Sequence, residues 1–237
     1  MDIILHNLAV GELSVLAGVG QRSNIPAQEA DAGWPMGIVR WPTGDLIVID
    51  YQWHRIWRFD QDCILHAFAG DGIAGNAGDG GPAIEARFRH PHDLCQDQYG
   101  NLYLSDLGNH TIRRIDYHTG IITRVAGSGR IGRGGDGGPA VEAELDCTCG
   151  VAVDCDGNVY LASEWTNNIR RIDAKTGIVE TVFGQHARHY PSEQGESRPY
   201  SGKQLSLGGY HGDGGPARDA GFYHPEHLAF NSLGDLY

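Results

Sequence analysis

Short apolar stretches alternate with turn-forming residues along most of the chain. The stretches are rich in residues that favour strands, which is the pattern of short antiparallel strands. The separators, such as Gln98-Tyr-Gly and Tyr117-His-Thr-Gly, suit tight connections between neighbouring strands. In the clearest part of the chain the predicted strands are His92–Asp97, Asn101–Ser105, Thr111–Asp116 and Ile121–Ala126.

This arrangement of strands recurs with a fixed period. The sequence Gly-Asp-Gly-Gly-Pro-Ala begins at Gly78, Gly135 and Gly212, and the first two copies are 57 residues apart. The sequence Ile-Arg-Arg-Ile-Asp recurs at the same spacing, from Ile112 and Ile169. A period in this range is typical of solenoids and propellers, and four strands per unit predict a propeller blade. A single blade cannot bury both of its faces, so we expect blades to pack against one another around an axis.

We therefore predict one all-β domain over residues 1–237, a β-propeller of four-stranded antiparallel blades with a 57-residue period. The complete ring is expected to have six blades, while a small four-bladed ring and closure by self-association with a second copy stay open. The predicted units are whole blades at about 34–70, 91–127 and 148–184, a partial blade at 225–237, a strand at 12–17 that belongs to the closing blade, and an inserted loop at about 186–204.

The repeated motifs resemble those of the NHL-repeat family. The resemblance rests on Gly-Asp-Gly-Gly-Pro-Ala, on Asp-x-x-Gly-Asn-x-Tyr, and on Ile-Arg-Arg-Ile-Asp followed by Thr-Gly-Ile, and it covers about residues 12–237. It implies a β-propeller. It does not imply one function, because NHL-type propellers serve as protein scaffolds, as RNA binders, and as lyases or hydrolases.

Composition and charge narrow the classes of function. The formal net charge of -12 disfavours binding to the phosphate backbone of a nucleic acid. No apolar run approaches the roughly 18 residues of a spanning helix, so no membrane partner is expected. The N-terminus lacks the features of a secretion signal and the 5 cysteines are an odd number, which favours reduced thiols and a cytoplasmic location.

Several motifs are interpreted as architecture. G-x-G-x-x-G occurs from Gly70 and from Gly127, but no long helix is predicted after either copy, so a nucleotide cofactor is not expected. The sequence Asp-Cys-Asp-Gly-Asn from Asp154 starts like a calcium loop, but it lacks the later oxygen ligands and is interpreted as a hairpin turn. A short helical turn is predicted at Pro82–Phe88, with Asp79 receiving its free amides.

Charged residues that recur from blade to blade are given structural roles. The arginine pairs 113–114 and 170–171 are expected to pair with nearby carboxylates at Asp116 and Asp173. Asp106 and Glu164 end second strands at turns that we take as corresponding, so a hydrogen-bonding role in the turn is favoured for both.

The residues around each blade's first proline are the chemically informative ones. Innermost strands of a propeller begin at one mouth of the central channel, so these residues should converge there from different blades. They are rich in imidazole, thiol and carboxylate groups, which are the donors that zinc takes. The residue before the proline position is Trp34, His90, Cys147 and His224 in successive repeats. The first residue after it is Met36, His92, Cys149 and Glu226, and the second is Gly37, Asp93, Gly150 and His227.

One class of NHL-related enzymes, the peptidyl-hydroxyglycine amidating lyases, holds a central zinc through histidines of Pro-His steps. His92 matches such a step in this sequence, whereas Met36 departs from the pattern. The resemblance implies a divalent metal, with zinc favoured. The predicted metal ligands are His92, Cys149, His90 and His224, and the predicted acid and base groups are His227, Asp93 and Glu226. A channel site without metal, and histidines that only cap strand ends, stay open as alternatives.

Two classes of function follow. The first is a propeller enzyme of the lyase or hydrolase class that acts on a small polar substrate at the channel mouth, with metal assistance. The alternative is a non-catalytic scaffold that binds a protein or peptide partner on one face. A scaffold predicts an exposed aromatic patch, and the candidates are Trp53, Trp57, Trp165, Tyr190 and Tyr200.

Overall fold

The computed structural model describes residues 24–30, 33–184 and 211–237. Within these ranges the regular structure is β-strand, and the helical elements are 3-10 turns of 3 residues each. The strands form three antiparallel sheets that follow one another along the chain. The predicted all-β fold of four-stranded blades is confirmed.

Each blade is built from four strands in sequence order. In the first blade, a two-residue strand β1 (Ile25–Pro26) also pairs with the outer edge; the other strands are β2 (Pro35–Arg40), β3 (Leu46–Asp50), β4 (Arg55–Phe59) and β5 (Ile64–Ala69). The second blade contains β6 (Pro91–Gln96), β7 (Leu102–Asp106), β8 (Thr111–Ile115) and β9 (Ile122–Ala126). The third contains β10 (Thr148–Val153), β11 (Val159–Ser163), β12 (Asn168–Ile172) and β13 (Val179–Phe183).

Alternating side chains of each strand fill two different cores. In β7, Leu102 and Leu104 enter the core shared with the first blade, whereas Tyr103 enters the core shared with the third. The blades therefore stack face to face, and their first strands β2, β6 and β10 lie side by side along the axis. This stacking places the beginnings of those three strands at one end of the structure.

The glycine-rich joint covers the outer edge of the blade that follows it. Pro82 forms a bridge with Ile121, and the backbone N–H of Gly80 donates to Ile122 O at 2.7 Å. Pro139 forms the equivalent bridge in the third blade. Exposed strand edges invite association with other chains, so the joint protects the blade as well as connecting it.

Two motifs of the repeat meet in one ion pair, of which the arginine is buried and the carboxylate is partly exposed. Arg113, from Ile-Arg-Arg-Ile, is fully buried, and its Nε donates to Asp79 Oδ1 of the joint at 3.0 Å. Its terminal nitrogens donate to the backbone carbonyls of Arg87 and Ala77 at 2.8 and 3.0 Å. Arg170 repeats this arrangement in the third blade. The joint and the third strand are thus fastened by the same arginine in each repeat.

The predicted helix-capping role of Asp79 is wrong. The 3-10 turn Ala83–Glu85 that follows has no side-chain cap hydrogen bond, because the Asp79 carboxylate is held by Arg113 instead. The second arginine of each pair behaves as expected and faces a partly exposed carboxylate on its own blade. These outer pairs are Arg114–Asp116 at 3.0 Å and Arg171–Asp173 at 2.8 Å.

The Asp-x-x-Gly-Asn motifs form the turns between the first and second strands. Asp97 Oδ1 accepts the backbone N–H groups of Tyr99 and Asn101, both at 2.9 Å. Asp154 Oδ1 accepts the equivalent two groups at 3.0 and 2.8 Å. Because both carboxylates are used in the same way, the hairpin interpretation of the calcium-like motif is confirmed.

Trp57 lies in a core and not on a surface. Its side chain is fully buried beneath residues 24–30, with Val48, Phe59 and Leu65. Its Nε1 donates to Asp50 Oδ2 at 3.3 Å. The predicted aromatic patch is therefore wrong for Trp57. Trp53 and Trp165 are half-buried, and Tyr190 and Tyr200 lie outside the described residues.

The segment 211–237 repeats the start of a blade and packs on the third one. It has the 3-10 turn Ala217–Asp219 after the third Gly-Asp-Gly-Gly-Pro, and a bridge joins Phe230 to Leu236. A Cβ placed at Gly150 of β10 would lie 2.5 Å from Glu226 O. Only a residue without a side chain allows this close approach between the third blade and the segment.

Two predicted units lie outside the described residues, namely the strand at 12–17 and the insertion at 186–204. The six-bladed ring and the single domain over 1–237 stay predictions, as does the cytoplasmic location. In the described part of the chain we find no helix with the length and apolar character that crossing a bilayer requires.

Candidate functional site

The candidate site lies where the first strands of the blades begin. The register pairs Pro91 with Asp106 and Thr148 with Ser163, so the ends of the second strands reach the same place. His90 and Cys147 precede these first strands, and His224 has the equivalent place in the segment 211–237; their backbones are left-handed, with φ of 52°, 43° and 51°. This conformation costs free energy for a residue other than glycine, and histidine adopts it more readily than cysteine. The repeat geometry thus directs three chemically active residues to the same end of the blades.

His92, His227 and Asp93 form the first cluster of the site. The His92 and His227 rings stack with centroids 5.8 Å apart and planes 27° apart. His227 Nδ1 lies 3.6 Å from Asp93 Oδ2, which also accepts the backbone N–H of Val151 at 3.1 Å. Among the described residues the buried Nδ1 of His92 has no hydrogen-bond partner. The cluster joins the second blade to the segment 211–237.

Burial sets the protonation of this first cluster. Burial lowers the pKa of His92, and the neighbouring His227 lowers it further, against the opposing charges of Asp93, Glu226 and Glu164. Burial also raises the pKa of Asp93, although the Val151 N–H group opposes that shift. His92 is therefore held neutral near pH 7, which leaves one ring nitrogen able to accept a proton. The side chain of His227 is 51% exposed and is therefore accessible from solvent.

Two thiols and a carboxylate form the second cluster. Cys147 and Cys149 flank Thr148 at the start of β10, and their sulfur atoms are 3.8 Å apart. Glu164 Oε2 lies 3.3 Å from Cys147 Sγ and 3.5 Å from Cys149 Sγ. Its other oxygen, Oε1, is 2.8 Å from His224 Nδ1. The hydrogen bond with Cys149 and burial both raise the pKa of the Cys147 thiol.

Tyr51, His90 and His54 form a third group, between the first two blades. The Tyr51 ring meets His90 edge-on at 4.5 Å and lies 6.3 Å from His92. His54 Nδ1 accepts the backbone N–H of His90 at 3.1 Å. Burial raises the pKa of Tyr51. Tyr51 thus has ring contacts with a histidine of this third group and a histidine of the first cluster.

The structure divides the predicted site residues among these groups. It brings His92, His227 and Asp93 together, and it brings Cys149 and His224 together around Glu164. His90 lies with Tyr51 and His54, whereas Glu226 is exposed and acts on His92 through its charge. Within the described residues the three-donor group that could hold a metal ion is Cys147, Cys149 and Glu164, so Cys149 is the one predicted ligand that it contains.

Sequence reasoning misplaced Glu164. We took it as the counterpart of Asp106, but the strand register aligns Asp106 with Ser163. Asp106 is fully buried and has the expected turn role, since it accepts the backbone N–H of Arg89 and the Asn109 amide. Glu164 stands one residue later, where Tyr51 stands in the first blade, and so it faces the thiols. The 57-residue spacing from Asp106 to Ser163 is visible in the sequence, but the contact of Glu164 with the thiols is not.

The hydrogen bond from the His90 backbone to His54 makes the first blade junction sensitive to acid. Burial and the nearby Arg89 lower the pKa of His54, against the charge of Asp50. The unfolded chain therefore takes up this proton first, and stability should fall as pH drops below about 6.5. From pH 7.5 to 5.5 we expect His54 to contribute a loss of a few tenths to about 1 kcal/mol, below the ceiling of about 1.4 kcal/mol for one proton per pH unit.

The variant His54→Asn isolates this contribution in urea unfolding at the two pH values. Asparagine tolerates the left-handed φ of 54° at this position and keeps an acceptor near the same place, but it does not titrate. We expect it to unfold at a similar urea concentration at pH 7.5 and to lose less stability than the wild type at pH 5.5. An equal loss in both proteins would show that His54 does not carry the effect.

Comparisons with known proteins agree with the repeat. The family model of the Teneurin NHL domain matches residues 130–204. Teneurin-3 of Mus musculus is 34% identical over 118 residues, which cover 42% of this chain and 4% of that protein. The chloroplastic protein SUPPRESSOR OF QUENCHING 1 of Arabidopsis thaliana is 30% identical over 97 residues, covering 41% of this chain and 9% of that protein. These matches agree with the resemblance of the repeat motifs to NHL repeats, and the three stacked four-stranded blades have the architecture of part of a β-propeller.

Solved structures share the fold. An auxiliary nutrient binding protein of Bacteroides ovatus superposes with a TM-score of 0.59 and 17% identity, over 88% of this chain and 46% of that chain. A structural genomics protein of unknown function from Bacteroides thetaiotaomicron gives a TM-score of 0.59 and 20% identity, over 86% and 44%. At such identities the likeness extends to the fold alone. The chain spans less than half the length of these structures and under a tenth of the two curated relatives.

Proposed function

We propose that this propeller is an enzyme of the lyase or hydrolase class that acts on a small polar substrate at the channel mouth. The observation that carries the proposal is the convergence of His92, His227 and Asp93 from two segments far apart in sequence. A neutral buried imidazole stacked on an exposed one, with a carboxylate beside it, is an arrangement suited to moving protons. Both reaction classes need a proton taken from one group and delivered to another.

Each residue of the first cluster has a distinct role in this proposal. His92 accepts the proton, because burial keeps its ring neutral. His227 contacts the substrate and returns a proton to the leaving group, since its side chain is the exposed member of the pair. Asp93 orients His227 from 3.6 Å, and the exposed Glu226 adds negative charge at the same rim. Acid–base catalysis of this kind contributes about 10²- to 10⁴-fold in rate.

Metal assistance is part of the proposal. A divalent ion, with zinc favoured by the sulfur donors, would act as a Lewis acid toward a carbonyl or hydroxyl oxygen of the substrate. Of the ligands predicted from the sequence, Cys149 and His224 lie in the second cluster. His92 lies in the first cluster and His90 beside Tyr51, so both fit proton transfer and positioning better than metal binding.

A substrate screen with matched variants tests this function. Purified protein would be assayed against esters, lactones, phosphate monoesters, and hydroxylated or acylated compounds that can undergo elimination. We expect turnover in at least one class, and a drop in kcat/KM of about 10²-fold or more in His92→Ala and in His227→Ala. His118→Ala is the control, because His118 is exposed on a hairpin of the second blade and should leave kcat/KM unchanged.

Two outcomes would overturn the proposal. One is turnover that His92→Ala and His227→Ala retain in full, which would place the reaction elsewhere. The other is no turnover in any class with a protein whose fold is confirmed by circular dichroism.

A non-catalytic scaffold that binds a protein or peptide on one face is the second candidate. The observation in its favour is Trp34, which is 63% exposed beside the mouth and stacks on Tyr51 at 5.9 Å. Met36 and Ile38 are exposed on β2, which begins directly after Trp34. Exposed aromatic and methionine side chains are typical of binding surfaces, and one structural neighbour is a nutrient binding protein. The same screen separates the two candidates, since a scaffold binds without turnover.

A further inference from the structure

The second cluster has the composition and shape of a metal site. Cys147 and Cys149 lie one residue apart on either side of Thr148, and Glu164 reaches them from the end of the neighbouring strand β11. The three donor atoms lie within 4.8 Å of one another. Cys149 is buried and Cys147 is half-buried, so the thiols are shielded on one side and reachable on the other. Sulfur donors with one carboxylate favour zinc over calcium or magnesium.

The distances between the donors agree with tetrahedral coordination. Zinc–sulfur bonds of about 2.3 Å at tetrahedral angles place two sulfur atoms about 3.8 Å apart, and a carboxylate oxygen about 3.6 Å from each sulfur. The observed separation of the sulfur atoms is 3.8 Å. Glu164 Oε2 lies 3.3 Å from Cys147 Sγ and 3.5 Å from Cys149 Sγ. The separations of the three donor atoms are therefore close to those that a tetrahedral zinc ion requires.

Two further features support a ligand role for these side chains. His224 Nδ1 holds Glu164 Oε1 at 2.8 Å, which leaves Oε2 directed at the sulfur atoms. Partners of this kind orient ligating carboxylates in metal sites. Cys147 has a left-handed φ of 43°, as His90 and His224 have at the equivalent places of the repeat. The repeat backbone therefore places this thiol where it completes the triangle of donors.

We propose that Cys147, Cys149 and Glu164 bind one zinc ion, with His224 positioning Glu164 and the fourth coordination position left for water or substrate. Three protein ligands and an open position are the arrangement of catalytic zinc sites. This inference deepens the proposed function, because it supplies the metal at the same mouth. It can be tested without a substrate, since zinc binding is measured directly.

Metal titration of the full chain tests the site. The protein would be reduced, freed of metal with a chelator, and titrated with Zn²⁺ against a chromogenic chelator and with Co²⁺ by absorption. We expect one equivalent of zinc, and thiolate-to-cobalt charge-transfer absorption that Zn²⁺ displaces. Cys147→Ser and Glu164→Gln should weaken zinc binding about 100-fold or more, and His224→Gln about 10- to 100-fold. Cys155→Ser is the control, because Cys155 is exposed in a hairpin turn of the same blade.

Three outcomes would overturn the metal site. They are no zinc bound by a reduced and folded protein, equal zinc affinity in Cys147→Ser and the wild type, and cobalt binding without thiolate absorption. Glu164→Gln keeps the shape of the side chain, so it reports on the site even where a cysteine variant does not fold. A mass decrease of two hydrogens that locates to Cys147 and Cys149, with no zinc uptake after reduction, would identify a redox pair instead.

The failures of the two proposals are distinguishable. Turnover without zinc binding would remove the metal site and leave the acid–base proposal. Zinc binding without turnover would remove the enzyme and leave the site. The variant His92→Ala separates the two roles within one protein. It should abolish turnover and still bind one equivalent of zinc.

Discussion

Replacing Arg113 with methionine is expected to destabilise the protein by about 3–5 kcal/mol. Its guanidinium is fully buried and donates to Asp79 and to the carbonyl oxygens of Ala77 and Arg87. It also lies 3.6 Å from the fully buried Asp106. Methionine fills much of the volume, but it leaves the Asp79 carboxylate and two carbonyl groups without their donor and removes a positive charge close to the buried Asp106. Urea unfolding at pH 7 measures the loss.

Arg114→Met is the matched control, one residue further along the same strand. Arg114 and Asp116 are both partly exposed, so removal of Arg114 should cost much less than removal of Arg113. Burial raises the pKa of Asp106 to about 6 in the wild type, and the charge of Arg113 opposes that shift. Removing Arg113 should therefore raise the pKa of Asp106 further, so the variant gains more stability than the wild type as pH falls toward 5 and its deficit should shrink. A carboxyl that binds its proton more tightly when folded adds stability as pH falls. Equal losses in the two variants would show that the ion pair of Arg113 does not fasten the joint.

Replacing Trp57 with alanine is expected to cost about 3–5 kcal/mol, the range for a large aromatic side chain removed from a core. Trp57 is fully buried, and its ring fills the space between the first blade and residues 24–30. The change also removes the donor of the Nε1 hydrogen bond to Asp50, which is itself fully buried. Thermal and urea unfolding followed by circular dichroism measure the loss.

Trp34→Ala distinguishes a buried tryptophan from an exposed one. Trp34 is 63% exposed, so its replacement should change stability by no more than about 0.5 kcal/mol. Trp57→Phe adds a second comparison, because it keeps most of the apolar volume and loses the hydrogen bond. If Trp57→Ala were as stable as the wild type, the packing of residues 24–30 on the first blade would be wrong.

The strand pattern could be predicted to within a residue because both of its causes are local. In the second blade each predicted strand boundary lies within one residue of the observed one. Alternating apolar residues and Asp-x-x-Gly-Asn turns act over a few positions, and the repeat shows them more than once. The ion pair of Asp79 could not be predicted in this way, because Asp79 lies in the joint and its partner Arg113 lies on β8, far along the chain.

The sequence predicted which residues lie near the candidate site, but it did not predict which of them contact one another. Counting from each proline indicated which residues reach the channel mouth, and His92, His227 and Asp93 do meet there. The count could not show that Glu164, on a second strand, completes the thiol pair. That contact depends on the pairing of β10 with β11, in which Thr148 faces Ser163 and the next residue turns toward the thiols.

The sequence by itself determined the repeat, the all-β class and the strands, because each follows from short-range periodicity and turn chemistry. Only the tertiary structure decided which side chains share a site. Stacking of the blades places His92 against His227, and strand register places Glu164 between Cys147 and His224. It also decided that Trp57, a candidate for an exposed aromatic patch, is fully buried. Contacts between residues far apart in the chain arise from packing, which local patterns do not encode.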